Sequence, residues 1–256
     1  MSNRPIKECK SKAPIIECIG DSHVCFFLGK DLVGACHPVN ESVFPFFRVH
    51  TVGPALAYNL CEEGTTTGAR ERIMSLLEET IEPGSYVLFA FGEIDCRAHL
   101  LLQARKTGEP IERVVSVCTE RYGRFIDEVA GRGFRPIIYN APASTFRRPS
   151  WNPDVKKAFP SYGSCRERNR VTRLFNDNLK THAAAAGYLF LENFDRVVTL
   201  RGFSRRRYFL DRIHLAQRAM PYTLRQLRVL LPQYEFPEPR GWRFKVGLSY
   251  LRMRLR

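Results

Sequence analysis

The sequence predicts an α/β domain built on a mostly parallel sheet of about five strands, and three observations carry that prediction. Short β-like apolar runs alternate with longer segments of helical period, as they do where parallel strands are joined by crossover helices. Glycine or proline punctuates the ends of the helical segments. A chain of 256 residues is long enough to bury a full core as one unit.

The expected strands are residues 15–19, 46–52, 86–91, 136–139 and 188–191. Each is a short apolar run bounded by turn-forming residues. The first helix is expected over 68–80. A second, over 112–130, places Val115, Cys118, Tyr122, Ile126 and Val129 near a 3.6-residue period and ends at Gly131 or Gly133. A third, over 167–186, lines up Val171, Leu174, Phe175, Leu179 and Ala183 and closes at Gly187. The last, over 217–230, is halted by Pro232.

Two segments break this alternation. Residues 141–165 contain Pro142, Pro149, Pro153, Pro160 and Gly163 and read as a long irregular loop. From Pro237 onward the chain carries Arg240, Arg243, Lys245, Arg252, Arg254 and Arg256 with no acid after Glu238. The expected organisation is an N-terminal extension over 1–14, one domain over 15–236, and a basic C-terminal tail over 237–256.

A hydrophobic share of 44% with 26% charged residues is that of an ordinary globular chain, which argues against disordered, collagen-like or coiled-coil classes. The cysteines include no CxxC pair, and Cys18, Cys25 and Cys118 sit inside apolar runs where reduced thiols pack as small hydrophobes. No apolar run near the N-terminus has the length of a signal or a span, so a cytoplasmic location is the expectation. The formal charge of +14 attracts anionic partners without choosing among them.

The chemistry begins at Gly20-Asp21-Ser22-His23, directly after the first strand. That position puts Ser22 at the carboxyl edge of the sheet, where open α/β sheets bind ligands. Far along the chain stands Asp211-Arg212-Ile213-His214. A nucleophilic serine needs a base, the base needs an orienting carboxylate, and this spacing lets Asp211 reach the Nδ1 side of His214 from one short turn. Each motif alone is common in turns. Together, on the first and last strand units, they make Ser22, His214 and Asp211 a candidate catalytic triad.

These residues resemble the SGNH/GDSL hydrolases, whose first block is GDS after strand one and whose last block is DxxH before the final helix. The resemblance runs from about residue 15 to 230 and implies a three-layer, flavodoxin-like α/β/α sandwich. It also implies an oxyanion hole formed by the backbone N–H groups of Ser22 and Gly53, the glycine of the second block. The third block departs from the pattern. The family has Gly-x-Asn-Asp, whereas this chain has Gly92-Glu93-Ile94-Asp95, with Ile94 where an asparagine donates to the oxyanion. Three readings stay open: the other donors suffice, a nearby cation such as Arg97 replaces the asparagine, or the site is catalytically weak. Asp21, His23, Gly92, Glu93, Asp95 and Arg97 are expected to line the site.

The run Arg205-Arg206-Arg207 just before the last block is a candidate anion-binding rim, and Arg147, Arg148, Lys156 and Lys157 in the long loop would add to its field. In the tail, Phe244, Leu248, Leu251 and Leu255 recur at helical spacing among basic residues, the pattern of a helix lying on the anionic inner membrane surface. Nucleic acid is not an expected partner, since zinc-finger spacing, RNA-binding aromatic signatures and basic heptads are all missing. The leading expectation is a serine esterase or O-acyltransferase acting on an O-acetylated glycan without metal or other cofactor. Its rivals are an inactive module that binds an anionic glycan or nucleotide-sugar, and a membrane or nucleic-acid adaptor working through the tail.

Overall fold

Five parallel strands run in the spatial order β3-β2-β4-β5-β6: β2 (Ile16–Gly20), β3 (Phe47–Thr51), β4 (Tyr86–Ala90), β5 (Arg135–Tyr139) and β6 (Leu189–Leu191). The computed structural model describes residues 11–31, 42–144, 160–211 and 213–247. A separate two-stranded parallel pair joins β1 (Ser11–Lys12) to β7 (Tyr234–Glu235).

Register sorts the side chains into two cores. Cys18, Leu88 and Ile137 are aligned across β2, β4 and β5 and point to one face. Their neighbours Ile19, Phe89 and Ile138 are aligned likewise and point to the other. Both faces are buried, which is why these strands read as continuous apolar runs. The second face is covered by α1 (Ala69–Glu79), α3 (Ile111–Gly131) and α4 (Cys165–Ala186), through Ile73, Val115, Tyr122 and Phe175 among others. The first is covered by the 3-10 turn Ser22–Leu28 and by α6 (Met220–Leu230), through Phe26, Phe27, Leu224 and Leu227. The result is the expected three-layer α/β/α sandwich.

Strand order places the site. The chain passes from β2 to β3 on one side and then crosses back to β4 on the other, so β2 lies at the switch point of the sheet. Loops leaving neighbouring strands in opposite directions open a crevice there, at the carboxyl ends.

The structure adds elements the apolar pattern did not announce. A π-helical turn, Asp95–His99, leads into α2 (Leu100–Thr107), and α5 (Phe194–Val197) follows β6. The tail expected from residue 237 is not detached at its start. Trp242 is buried, its Nε1 donates to Gly29 O at 2.8 Å and its ring meets Phe44 edge-on at 5.0 Å. Phe244 is exposed, while Leu248, Leu251 and Leu255 lie outside the described residues. Cys25, expected as a reduced thiol, is disulfide-bonded. No helix among the described residues is long and apolar enough to cross a membrane.

Candidate active site

Strand β2 ends at Gly20, which the packing requires to be glycine: a Cβ there would sit 2.6 Å from the carbonyl oxygen of Ala90 on β4. Asp21 then leaves the strand in an extended conformation and its carboxylate accepts the N–H of His23 at 2.8 Å, starting the turn Ser22–Leu28. This is the side-chain capping that Asp supplies at helix starts. It leaves Ser22 exposed at the carboxyl edge, while His23 points into the protein.

Asp211 builds the opposite half. Its Oδ1 accepts the backbone N–H groups of Ile213 and His214, both at 2.7 Å, and its Oδ2 lies 2.7 Å from His214 Nδ1. One carboxylate thus shapes the turn and aims the ring. Burial would raise the Asp211 pKa, but the hydrogen bond and charge of His214 outweigh it and hold the carboxyl at about 2. With Nδ1–H donating to Asp211, Nε2 is left as the acceptor, and it stands 2.9 Å from Ser22 Oγ. The three residues singled out in the sequence are therefore in one continuous hydrogen-bonded chain.

Behind this chain lies a second, buried one. The ring of His23 is 4.9 Å from that of His214 and tilted by 37°. Its Nε2 is 3.2 Å from Glu93 Oε2, and Arg97 Nε donates to both Glu93 oxygens at 2.8 and 3.0 Å. Arg97 Nη1 also donates to the carbonyl of Pro160. Burial opposes the ionised form of Glu93, yet Arg97 and His23 draw its carboxyl down to about 2. Burial likewise works against a charged His23, but Asp21 and Glu93 raise its pKa overall. Asp21 is the strained member: burial lifts its carboxyl to about 6, and its Oδ2 is enclosed with no hydrogen-bond partner among the described residues.

The variant third block is explained in part by this network. Gly92 has φ +101°, and a Cβ on it would lie 2.5 Å from the Phe175 ring. Glu93 turns inward to His23 and Arg97, Ile94 is half-buried, and Asp95 is buried. Asp95 accepts the N–H groups of Ala57 at 2.8 Å and Tyr58 at 3.2 Å, so it ties this turn to the loop after Gly53. Gly53 itself has φ +80°, and the N–H of Val52 before it bonds Gly20 O at 2.9 Å, which sets the Gly53 turn beside the one carrying Ser22. Arg97 is not a free cation in place of the asparagine. Its Nε and Nη1 are directed to Glu93 and the Pro160 carbonyl, which makes it a support for the carboxylate that meets His23.

The arginine rim is outside these chains. Arg205, Arg206 and Arg207 are exposed. Arg205 Nε donates to Val198 O at 3.3 Å, and Arg207 donates to the Tyr208 hydroxyl at 3.1 Å. Arg147, Arg148, Lys156 and Lys157 lie outside the described residues. A cavity of about 670 Å³ opens beyond Asp95, lined by Leu56, Tyr58, His99, Leu100 and Val114 among others, and neither Ser22 nor His214 lines it.

The linkage of His23 to Glu93 and Arg97 was not read from the sequence. Glu93 and Arg97 are four apart, a spacing that pairs charges on one helical face, but His23 is joined to them only by the fold.

No protein-family model matches the sequence, and no curated protein matches it. Solved structures do. An acetyl-xylooligosaccharide esterase from Geobacillus stearothermophilus aligns at 14% identity with a TM-score of 0.50, over 90% of this chain and 98% of the other. LAE5, an alpha/beta hydrolase from the metagenome of Lake Arreo, Spain, aligns at 14% identity and a TM-score of 0.50, over 88% and 98%. A GDSL-like lipase from Bacteroides thetaiotaomicron aligns at 12% identity and a TM-score of 0.47, over 86% of each chain. With its five-stranded parallel sheet between two helical layers, the chain shares the fold of the acetyl-xylooligosaccharide esterase and of LAE5, the three-layer sandwich that the resemblance of its sequence to SGNH/GDSL hydrolases implies.

Proposed function

We propose that the chain is a serine esterase or O-acyltransferase that uses Ser22, His214 and Asp211. The observation that carries this reading is the unbroken contact from Asp211 Oδ2 through His214 to Ser22 Oγ, at 2.7 and 2.9 Å. His214 Nε2 takes the hydroxyl proton as Ser22 Oγ bonds to the ester carbonyl carbon, and Asp211 stabilises the imidazolium that forms. The tetrahedral intermediate collapses with cleavage of the ester C–O bond, and His214 returns the proton to the departing alkoxide. Water then attacks the acyl-Ser22 ester to complete hydrolysis, or a sugar hydroxyl attacks it to complete transfer. The N–H groups of Ser22 and Gly53 are the proposed oxyanion donors.

An acetylated glycan is the substrate class to test first. It is supported by the likeness to an acetyl-xylooligosaccharide esterase and, where the glycan is anionic, by the net charge of +14. One observation favours a second reading, a binding module with a decayed site: the side chain of Ile94 supplies no donor, and Arg97 is turned to Glu93 and Pro160.

The test is a screen of short acyl esters and acetylated sugars with the native protein, Ser22→Ala and His214→Ala. Turnover that is lost in both variants supports the esterase. Turnover equal to native in Ser22→Ala overturns it, and no native turnover combined with glycan binding that survives Ser22→Ala selects the binding module.

A further inference from the structure

A guanidinium-lined groove lies away from the Ser22 network. Helix α4 carries Arg166, Arg170 and Arg173 at i, i+4 and i+7, one stripe along its first turns. Facing them is a tight turn closed by the Val198–Ser204 bridge and by Thr199 N–H donating to Phe203 O at 2.8 Å. The groove between the two has a volume of about 470 Å³ and is lined by those three arginines together with Arg201.

Two features distinguish this place from an ordinary solvated basic surface. Leu200 stands at the tip of the turn with its side chain fully exposed, at 106%, and Phe203 beside it is 47% exposed with Arg166 5.6 Å from the centre of its ring. Leu200 and Phe203 together set an apolar pair beside a cluster of guanidinium groups, the side-chain combination that interfacial membrane contacts use. The carboxylates nearby offset two of the four guanidinium groups and leave the other two. Glu167 accepts the N–H of Ser164 at the start of α4, Glu112 pairs with Arg170 at 3.0 Å, and Asp195 pairs with Arg173 at 2.8 Å. Arg166 and Arg201 make no ion pair among the described residues.

We propose that this face docks on an anionic phospholipid bilayer, with Leu200 and Phe203 entering the interface and Arg166, Arg170, Arg173 and Arg201 holding lipid phosphates. Guanidinium forks suit phosphate oxygens, and an apolar tip beneath them suits the boundary between headgroups and acyl chains. A soluble polyanion would use the arginines and leave Leu200 in water, which is why the bilayer is the favoured occupant. Orientation gives the contact a consequence. Helix α4 ends at Ala186, three positions before β6 begins at Leu189, so its first turns lie at the carboxyl edge of the sheet, the edge where Ser22 leaves β2. Docking there turns the Ser22 edge toward the membrane, and it does so whether or not Ser22 is a nucleophile.

Flotation of the full chain with phosphatidylcholine vesicles, with and without about one-third phosphatidylserine, tests the proposal. Binding is expected only with phosphatidylserine, and Leu200→Ser or Arg201→Glu is expected to reduce the bound fraction at least fivefold. Val229→Ser, which removes a side chain equally apolar and 71% exposed on α6, is expected to leave binding unchanged. Because basic residues beyond 240 can hold anionic vesicles by themselves, insertion is also read at the tip: Leu200→Trp should add emission that brominated acyl chains quench beyond the native change. Equal binding by Leu200→Ser together with no added quenching overturns the proposal. So does binding to heparin, sensitive to Arg201→Glu, without binding to vesicles, since that outcome assigns the groove to a soluble polyanion.

Discussion

His23 and Glu93 meet at 3.2 Å in the interior, and the ring of His23 lies 4.9 Å from that of His214. The base of the proposed triad therefore rests against a buried imidazole whose pKa burial and Arg97 lower and Asp21 and Glu93 raise, with a net upward shift. Among the described residues, Glu93 is the carboxylate in contact with both His23 and Arg97.

Glu93→Gln is expected to destabilise the fold by about 3–5 kcal/mol, the cost of removing one partner from a buried pair and leaving the other charge uncompensated. The pH dependence has a definite sign. Glu93 is depressed to about 2 from a usual 4.5, so its contribution is present above pH 4.5 and is lost as pH falls from 4.5 toward 2. Urea denaturation across that range should show the two proteins converging at the acid end. A difference under 1 kcal/mol at pH 7 contradicts the role given to this pair.

Asp21 acts in the opposite sense. Burial lifts its carboxyl to about 6 from 3.8, so the folded state favours the protonated form and loses stability as pH rises from 4 through 6. Asp21→Asn removes that dependence. Native protein should lose roughly 3 kcal/mol relative to the variant between pH 4 and pH 7, measured by the same denaturation. Parallel pH profiles for the two proteins would show that Asp21 is not strained by burial.

Ile94→Asn introduces the side-chain donor found in the third block of the SGNH/GDSL hydrolases that this sequence resembles. If the turn after β4 presents position 94 to the oxyanion, one added donor is worth about 3 kcal/mol, a rate gain of 100- to 1,000-fold. The rate of acylation by an activated acetyl ester is the readout. No gain, in a variant that folds, means that this turn aims its side chain elsewhere.

Gly92→Ala tests the turn itself. Its φ of +101° disfavours any Cβ, and that Cβ would also meet Phe175 at 2.5 Å. The expected loss is about 2–4 kcal/mol, strain and overpacking together. Gly84→Ala has a similar φ of +84° but open space around the new methyl, so it should cost only about 1–2 kcal/mol of backbone strain. Equal losses at the two positions would remove the packing part of the argument.

The sheet was legible in the sequence because burial on both faces makes each parallel strand a compact apolar run, as in Tyr86–Ala90. Long helices such as Ile111–Gly131 declared themselves by period, whereas Leu100–Thr107 is too short for a period to emerge from Leu100, Leu101 and Leu102. Trp242 gave no signal, being one aromatic in a basic stretch whose burial depends on Phe44 and Gly29 far away. At the site, Asp211 and His214 could be paired because three residues of spacing span one turn. The commitment of Arg97 to Glu93 beneath His23 could not, since a charge near a site in sequence does not reveal which way its side chain turns.

The central claim is that Ser22 is a nucleophile activated by His214 across the 2.9 Å contact. Labelling by a fluorophosphonate, followed by peptide mass spectrometry, measures this without knowledge of the substrate. The account predicts an adduct on Ser22 that forms at least 100-fold more slowly in His214→Ala, while that variant remains folded. Absence of any adduct on Ser22 in the native protein, or equal labelling rates in the two proteins, would contradict it.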